Sequence, residues 1–415
     1  MNKLALGMLS ALLITACEHK EILQGKREEF LQNADAIRIN KDTAAMSISM
    51  PSAISLKSHV HVGGNEQHNA SNYLMPKTFS TAWTRSVGGD IGTDLICNDG
   101  KLYAVNSYGD LVCLSSKSGD ILWKQNISSH NDGVSFTGGI AFLNDNIFVS
   151  TNHGEVIGIS SKTRKELFRN SILIPVKSNP VVKNDKLVVT TINNKTYCLS
   201  TRNGKNEWVK IGAQEEAVME KSGTPAIYGN NVICAYTNGD IASVSLATGE
   251  EIWSDVLFSA NTEDSGFVIS HIVASPVVSN GKVLAATSES KMALIDASSG
   301  IRIWEQVVGT MNAPVIVGSW VFVITSDGSL MCFSFNDGSA KWSSKIGSDK
   351  GKLFGPVIIN GNICVFSEHG EMMLFDSNNG KLKKFEDLKI YISGSPIIVD
   401  KSMYVVSGSN VVCLR

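Results

Sequence analysis

The chain has 415 residues, of which 43% are hydrophobic and 18% charged, a composition typical of a globular protein with a sizeable core. Its formal net charge is −2. The protein therefore lacks the strong positive field that gathers nucleic acid, which argues against a polyanion-binding role.

The first residues have the features of a secretory signal. Lys3 supplies a positive charge, residues 4–14 form an apolar run too short to span a membrane, and small residues precede Cys17. The Ile-Thr-Ala-Cys sequence resembles the lipobox of bacterial lipoproteins, whose cysteine is acylated and begins the mature chain. The resemblance implies a signal peptide over residues 1–16 and lipidation of Cys17. Because Glu18 follows, rather than the retention aspartate, it also implies an outer-membrane destination. An ordinary signal with a chance cysteine is the alternative.

Residues 17–77 differ in composition from the rest of the chain. Ser, Asn, His and Lys are common there, and no repeat is visible. We predict a polar tether with limited local order. His59 and His61 would project from one side of a strand, as a pair of metal ligands can. No third ligand is evident nearby, so we predict no metal site.

From residue 78 onwards the chain is repetitive. A turn residue is followed ten positions later by a second turn residue, and four positions after that by an aromatic residue. The frame occurs seven times, twice in degraded form: Gly109/Gly119/Trp123, Gly154/Arg164/Phe168, Asn194/Gly204/Trp208, Gly239/Gly249/Trp253, Ser290/Gly300/Trp304, Gly328/Gly338/Trp342 and Gly370/Gly380/Lys384. Such a repeat is the signature of a solenoid or a propeller.

Each repeat divides into four short apolar strands joined by Gly, Asn, Asp and Ser, which is typical of a propeller blade. An eighth unit begins at Ser395 but ends before its fourth strand, whereas Thr81–Thr84 near the start is a fourth strand without a blade. Pairing the two closes the ring and removes both exposed sheet edges. The sequence therefore predicts an all-β, eight-bladed β-propeller of four-stranded antiparallel blades over residues 78–415, with about 42 residues per blade.

Seven cysteines follow Cys17, and they fall into two groups, each at a recurring position of different repeats. The first group is Cys113, Cys198, Cys332 and Cys413, and the second is Cys97, Cys234 and Cys364. Equivalent positions lie on different blades, too far apart for a disulfide. The odd count and the lack of a CxxC motif also argue against a zinc site. We expect buried apolar side chains.

Six of the seven tryptophans occupy the repeat frame: Trp83, Trp123, Trp208, Trp253, Trp304 and Trp342. The pattern resembles the tryptophan-docking motif of the quinoprotein-like (PQQ-type) propellers, in which the indole packs between adjacent blades. The resemblance covers roughly residues 78–415. It speaks to the fold much more than to the function.

Two functions remain open. A quinone-cofactor dehydrogenase of this superfamily needs an adjacent cysteine pair, calcium ligands and an aspartate base. The chain has no Cys-Cys pair, and its acidic residues lie mainly in turns, with no assignable general base. We therefore predict no catalytic residue and no cofactor. The second function is that of a scaffold.

The lipobox, the polar tether and a single propeller of this length together resemble the BamB family of outer-membrane lipoproteins. Gly25-Lys26-Arg27 and Gly63-Gly64-Asn65 are similar to alphaproteobacterial members. The resemblance implies a non-catalytic scaffold at the periplasmic face of the outer membrane. Its implied partners are the POTRA domains of BamA and the other lipoproteins of the β-barrel assembly (BAM) complex, with nascent outer-membrane proteins as further candidates.

The resemblance also points to two contact loops for BamA. Val218, Met219 and Lys221, ahead of Thr224-Pro225, are the nearest matches to the first family loop. In the second loop His271 stands where the family has an aspartate, so the charge pairing of the family is altered here. The alternative is that all four are ordinary loop residues.

Overall fold

The structure is a computed structural model that describes residues 37–78, 80–129, 138–213, 223–257, 271–347 and 350–415. Within these ranges eight sheets follow one another along the chain, each with four antiparallel strands. The predicted all-β, eight-bladed propeller is therefore confirmed. The described residues include one short α-helix, Lys41–Ala45. None of the described helical structure has the length or the apolar character needed to cross a bilayer.

The strands are numbered first to fourth within each blade, in chain order. The first strands are Ile96–Asn98, Gly138–Leu143, Val181–Lys183, Ala226–Tyr228, Val277–Ser279, Val315–Val317, Leu353–Ile359 and Ile397–Val399. The second are Lys101–Val105, Asn146–Thr151, Lys186–Thr190, Asn231–Ala235, Lys282–Ala286, Trp320–Ile324, Asn362–Ser367 and Ser402–Ser407. The third are Asp110–Ser115, Glu155–Ser160, Lys195–Ser200, Asp240–Ser245, Met292–Asp296, Ser329–Ser334, Glu371–Asp376 and Asn410–Leu414. The fourth are Ile121–Asn126, Glu166–Ser171, Asn206–Ile211, Glu251–Val256, Arg302–Gln306, Ala340–Lys345, Leu382–Asp387 and, for blade 8, Thr81–Ser86.

The core lies between neighbouring blades rather than in one central cluster. One cluster, for example, joins Ile233 and Trp253 of blade 4 to Val283 and Ile295 of blade 5. The middle strands are buried on both faces because each blade packs between two others, so they consist of continuous apolar runs. The fourth strands at the rim alternate: in Glu251–Val256 only Trp253 is fully buried.

The ring closes as the sequence predicts. Thr81–Ser86 pairs antiparallel with Asn410–Leu414 of blade 8. The amide of Ser80 donates to the carbonyl of Arg415 at 2.7 Å, and the amide of Arg415 donates back at 3.0 Å. Blade 8 thereby gains a fourth strand from the N-terminal side of the ring, like the fourth strands of the other blades.

The meander gives the ring two different faces. Turns between first and second strands and between third and fourth strands lie on one face, which we call the closed face. Turns between second and third strands and the connections between blades lie on the other, which we call the loop face. Successive first strands contact one another around the axis, so they line the central channel.

Residues 37–78, which we call the strap, run across the closed face. The expectation of limited local order does not hold for this segment. It contains the helix Lys41–Ala45, and its strand Asn72–Tyr73 pairs in parallel with the first strand of blade 7. Cys17 and the rest of the N-terminal segment up to residue 36 lie outside the described residues.

The strap crosses the channel mouth by bonding to five successive first strands. His59 exchanges two backbone hydrogen bonds with Cys97, at 2.7 and 2.8 Å. His61 Nε2 lies 3.1 Å from the carbonyl oxygen of Val182. The carbonyls of Val60, Glu66 and Gln67 accept from the amides of Phe142, Ile227 and Val278, at 2.9, 2.7 and 2.9 Å.

The five partner residues occupy the same position, one residue before the end of the first strand in blades 1 to 5. The first strands have no neighbour on their channel side, so their backbone groups there need partners. The strap supplies them. Because four of the five partners are backbone groups, and only His61 contributes a side chain, the strap carries little side-chain pattern that would reveal its order from sequence.

Candidate partner-binding face

Both stretches that the family resemblance singles out belong to connections between blades, whose described ends lie on the loop face. Val218, Met219 and Lys221 lie outside the described residues, in the connection between blades 3 and 4. His271 belongs to the connection between blades 4 and 5, just before the first strand of blade 5. The described residues therefore define the stems of both loops.

The start of the first loop is held by Asn194, a turn residue of blade 3. Its side-chain amide donates to the carbonyl of Ala213 at 2.8 Å, and its backbone carbonyl accepts from Gly212 at 2.8 Å. Its side-chain oxygen also accepts from the amide and the hydroxyl of Thr237 in blade 4, at 3.1 and 3.0 Å. Sequence reasoning treated Asn194 only as a turn residue. The sequence feature that could have indicated this role is that most repeats have glycine, rather than asparagine, at this position.

The end of the first loop is tied to the end of the second. The amide of Thr224 donates to Ser275 Oγ at 3.1 Å. A side chain at Gly223 would place its Cβ 3.0 Å from the carbonyl oxygen of Ala274, so the two backbones run close together. The two predicted contact loops are thus neighbours with fixed stems.

His271 is buried, with 4% of its surface exposed. Its backbone carbonyl accepts from the amide of Ser288 at 2.7 Å, and Ile272 beside it is fully buried. The structure thus places inside the fold a side chain that the resemblance locates in a contact loop. Any influence of His271 on a partner would pass through the loop that it supports.

The tryptophans of blades 3 to 6 share one geometry. Their indole N–H groups donate to a carbonyl in the next blade, at 2.8–2.9 Å: Trp208 to Leu246, Trp253 to Ala297, Trp304 to Phe335 and Trp342 to Ser377. Each ring also packs on the turn glycine of that blade, where a Cβ on Gly300 would lie 2.7 Å from the ring of Trp253. Aromatic ring and glycine are therefore needed as a pair.

The other two tryptophans of the frame are only half-buried and depart from this geometry. Trp123 faces blade 2, whose turn carries Arg164 in place of glycine. Trp83 packs on Gly119, but the carbonyl of Ser116, which would accept its N–H by analogy, accepts from Tyr404 and Arg415 at 3.0 and 2.7 Å. At the ring closure, blade 8 is thus joined to blade 1 by polar hydrogen bonds to this carbonyl.

The seven cysteines described are all buried and unpaired. Four of them lie directly across the strand pair from a frame tryptophan: Cys113, Cys198, Cys332 and Cys413. A small side chain there leaves room for the indole. Burial raises the pKa of the thiols, to about 11 for Cys113 and about 12 for Cys198, so they are poor nucleophiles.

No group of three His, Cys, Asp or Glu side chains within the described residues is spaced to hold a metal ion. The cysteines lie on separate strands with no adjacent pair. Among the described residues, the donors therefore do not fit a calcium and quinone site of the kind that a quinone-cofactor dehydrogenase needs.

The strap contains three buried histidines, His59, His61 and His68. Burial lowers the pKa of each imidazole to about 4. Asp94 faces His59, and Glu66 faces the other two. Glu66 is itself 3.4 Å from Lys183. All three imidazoles are therefore neutral near pH 7.

Comparison with known proteins identifies the family. A family model described as outer membrane protein assembly factor BamB matches residues 128–344. The chain belongs to this family. BamB of Escherichia coli K12 is 22% identical over 278 residues, covering 64% of this chain and 70% of that protein. An uncharacterized protein of Rickettsia conorii is 25% identical over 288 residues, covering 68% of each chain.

Solved structures show the same fold. BamB from Moraxella catarrhalis superposes with a TM-score of 0.72 at 16% identity, covering 81% of this chain and 100% of that one. A europium-containing methanol dehydrogenase superposes with a TM-score of 0.69 at 14% identity, covering 85% of this chain and 90% of that one. At these identities the likeness concerns the propeller alone.

Proposed function

We propose that the protein is a non-catalytic scaffold of the outer-membrane β-barrel assembly complex. In this proposal lipidated Cys17 holds it at the periplasmic face of the outer membrane, and the loop face binds the POTRA domains of BamA. Membership of the BamB family supports this role, as do the relatives whose names describe outer-membrane assembly factors. Other lipoproteins of the complex and nascent outer-membrane proteins are further candidate partners.

The observation that carries the proposal is the contrast between the loop face and the closed face. Two neighbouring connections on the loop face have stems fixed by Asn194 and by the Thr224–Ser275 hydrogen bond. The channel mouth on the closed face is occupied by the strap. Loops presented by a rigid ring are a common way to build a binding surface.

The runner-up function is a quinone-dependent dehydrogenase, which the likeness to methanol dehydrogenase favours. That function requires a donor cluster for the cofactor and its metal. Buried cysteines with raised pKa values, spread over several blades, do not provide one. The scaffold is therefore the better supported proposal.

Co-purification tests the proposal. Affinity-tagged full-length protein, extracted in mild detergent from its own host, should bring down BamA in near-stoichiometric amount. The double variant Met219→Asp with Lys221→Glu should reduce the yield at least tenfold with an unchanged circular dichroism spectrum. Unchanged recovery by the folded variant would show that the contact lies elsewhere. Absence of BamA from the wild-type eluate, together with a bound quinone absorbance, would favour the dehydrogenase.

A further inference from the structure

One position of the repeat separates three blades from the other five. It lies three residues after the frame aromatic, at the loop-face end of each fourth strand. From blade 8 through blade 7 its occupants are Ser86, Asn126, Ser171, Ile211, Val256, Val307, Lys345 and Asp387. Aliphatic residues thus occur only in the consecutive blades 3, 4 and 5. We call Ile211, Val256 and Val307 the aliphatic arc.

Three of the five polar occupants of this position form hydrogen bonds to backbone groups of their own blades. Asn126 donates to the carbonyl of Tyr108 at 2.9 Å, and Lys345 donates to the carbonyl of Asp327 at 2.7 Å. Asp387 accepts from the amide of Lys389 at 2.9 Å. Each bond satisfies backbone groups of a nearby turn. An aliphatic side chain forgoes this contribution, so the fold alone does not call for the arc.

The arc is also not buried by the fold. Ile211, Val256 and Val307 are 63%, 47% and 51% exposed, and Met311 in the following connection is 54% exposed. Grouped apolar side chains on a surface are characteristic of interaction sites. The same backbone position is polar in the other five blades, so those blades serve as an internal comparison for the exposed aliphatic residues of the arc.

Two members of the arc share one cleft. Ile211 and Val256 line a cavity of about 190 Å³ between blades 3 and 4, together with Gly212, Ala213 and Tyr236. The glycine and the alanine in this lining leave room for an inserted apolar group. A pocket of this kind is where the strongest contacts of a protein interface concentrate.

The surroundings of the cleft define the charge of its ligand. Asp240, Glu251 and Asp255 line it together with Lys210. Lys210 pairs with Glu251 at 2.5 Å, and Arg302 of blade 5 pairs with Asp255 at 2.6 Å. Asp240 has no ion-pair partner of this kind within the described residues, where its carboxylate accepts a hydrogen bond from the side-chain amide of Asn238. The cleft therefore keeps a residual negative charge, and a basic rim on the ligand complements it.

We propose that the aliphatic arc receives apolar side chains from a folded protein domain whose contact surface has an aliphatic centre and a basic rim. The inference rests on the proposed function, because the arc begins two residues before Ala213 at the stem of the first contact loop. It extends the binding surface from the two loops to the rim of blades 3, 4 and 5. Within the assembly complex the POTRA region of BamA is the occupant.

The test compares two sets of three substitutions in the full-length protein. The arc variant carries Ile211→Thr, Val256→Thr and Val307→Thr, which keep β-branched side chains on the strands. The control variant carries Ile121→Thr, Leu122→Thr and Leu382→Thr. These control residues are 43%, 50% and 52% exposed on fourth strands, near the closed face. The probe is the purified POTRA region of BamA from the same organism, and calorimetry measures the Kd.

We expect the arc variant to bind about 50-fold more weakly, roughly four-fold for each truncated side chain. The control should stay within two-fold, and both variants should melt like the wild type. Equal affinity of wild type and arc variant would overturn the proposal that the arc contacts the partner, while leaving the proposed function intact. No binding by wild type would overturn both. If the wild type self-associates in sedimentation experiments and only the arc variant is monomeric, the occupant is a second copy, which overturns the stated partner.

Discussion

The two faces of the ring are built from the same eight blades but are completed differently. On the closed face, turns are short and the strap satisfies the channel edge of five first strands, four through its backbone and one through the His61 side chain. The loop face is not covered by the strap, and the apolar side chains of the arc are exposed there. The repeat therefore determines the ring. The segments at the ends of the strands determine whether a face is covered or is available for binding.

The strongest test of this contrast is acid, because the docked strap on the closed face contains three buried imidazoles with lowered pKa values. The pKa of His59, His61 and His68 is lowered from 6.5 to about 4 by burial. A lowered pKa in the docked strap means that docking is fully stable above pH 6.5 and weakens as the pH falls towards 4. With three groups, the loss approaches about 4 kcal/mol per pH unit.

Amide hydrogen exchange measures this loss of docking free energy directly. The amides of Phe142, Ile227 and Val278 donate to the strap. Corrected for intrinsic rates, their exchange should accelerate by up to about a thousandfold per pH unit below 6. Amides paired between second and third strands of the same blades should change far less. Parallel acceleration of both sets would mean that the ring opens as a whole, and the contrast between the faces would fail.

A matched variant separates protonation from packing. His61→Gln and His68→Asn place an amide where the bonding ring nitrogen stands, Nε2 in one case and Nδ1 in the other. The pair should retain the docked strap at pH 7.5 and lose about two-thirds of its acid sensitivity. His369→Gln, at a side chain that is 59% exposed, serves as the control and should leave the pH profile unchanged.

The second prediction uses one strand that reaches both faces. Lys341, at the closed-face end of Ala340–Lys345, is buried and donates to the carbonyls of Thr43 and Ala44, at 3.3 and 3.0 Å, and to that of Met46. Its ammonium also lies 5.3 Å from the centre of the Trp320 ring. Lys341→Met would leave the last carbonyls of the helix without this donor. It should weaken strap docking by about 2–4 kcal/mol.

Lys345 on the same strand is the matched control. It pairs with Asp327 at the loop face, and the two side chains are 62% and 67% exposed. Exposed pairs contribute little, so Lys345→Met should change stability by less than about 0.5 kcal/mol. Limited proteolysis of the strap is the measurement. A strap equally resistant in both variants would show that Lys341 is not its clamp.

Much of the ring was predictable because a blade is a local structure. Gly239, Gly249 and Trp253 mark two turns and a rim strand within one stretch of chain, and the pairing of Trp83 with the last blade followed from counting strands. The strap was not predictable, since carbonyls such as that of Val60 bind equally well from any residue type. The burial of His271 was missed for a related reason, because alignment to a family loop says nothing about which way a side chain points.

The aliphatic arc was predictable from the sequence only in part. Ile211, Val256 and Val307 stand in one column of the repeat, so comparing that column across all eight blades would have singled them out. Their exposure could not be read in the same way. The exposed fraction of an aliphatic side chain near the end of a strand depends on how neighbouring blades pack, which the sequence does not give.

The smallest predicted effect concerns backbone conformation on the loop face. Leu173 has a φ of +63° and is 83% exposed. At the equivalent position, five residues after the frame aromatic, Gly88, Gly347 and Lys389 also have positive φ. A left-handed conformation costs a leucine about 1 kcal/mol that glycine does not incur, and little burial offsets it here. Leu173→Gly should therefore raise the unfolding free energy by up to about 1 kcal/mol, measured by denaturant titration. Gly347→Leu, the reverse change in a sibling blade, should lower it by a similar amount. A loss of stability in Leu173→Gly would mean that the leucine makes a stabilising contact on this face, and the loop face would then be less open than the contrast with the strap-covered side requires.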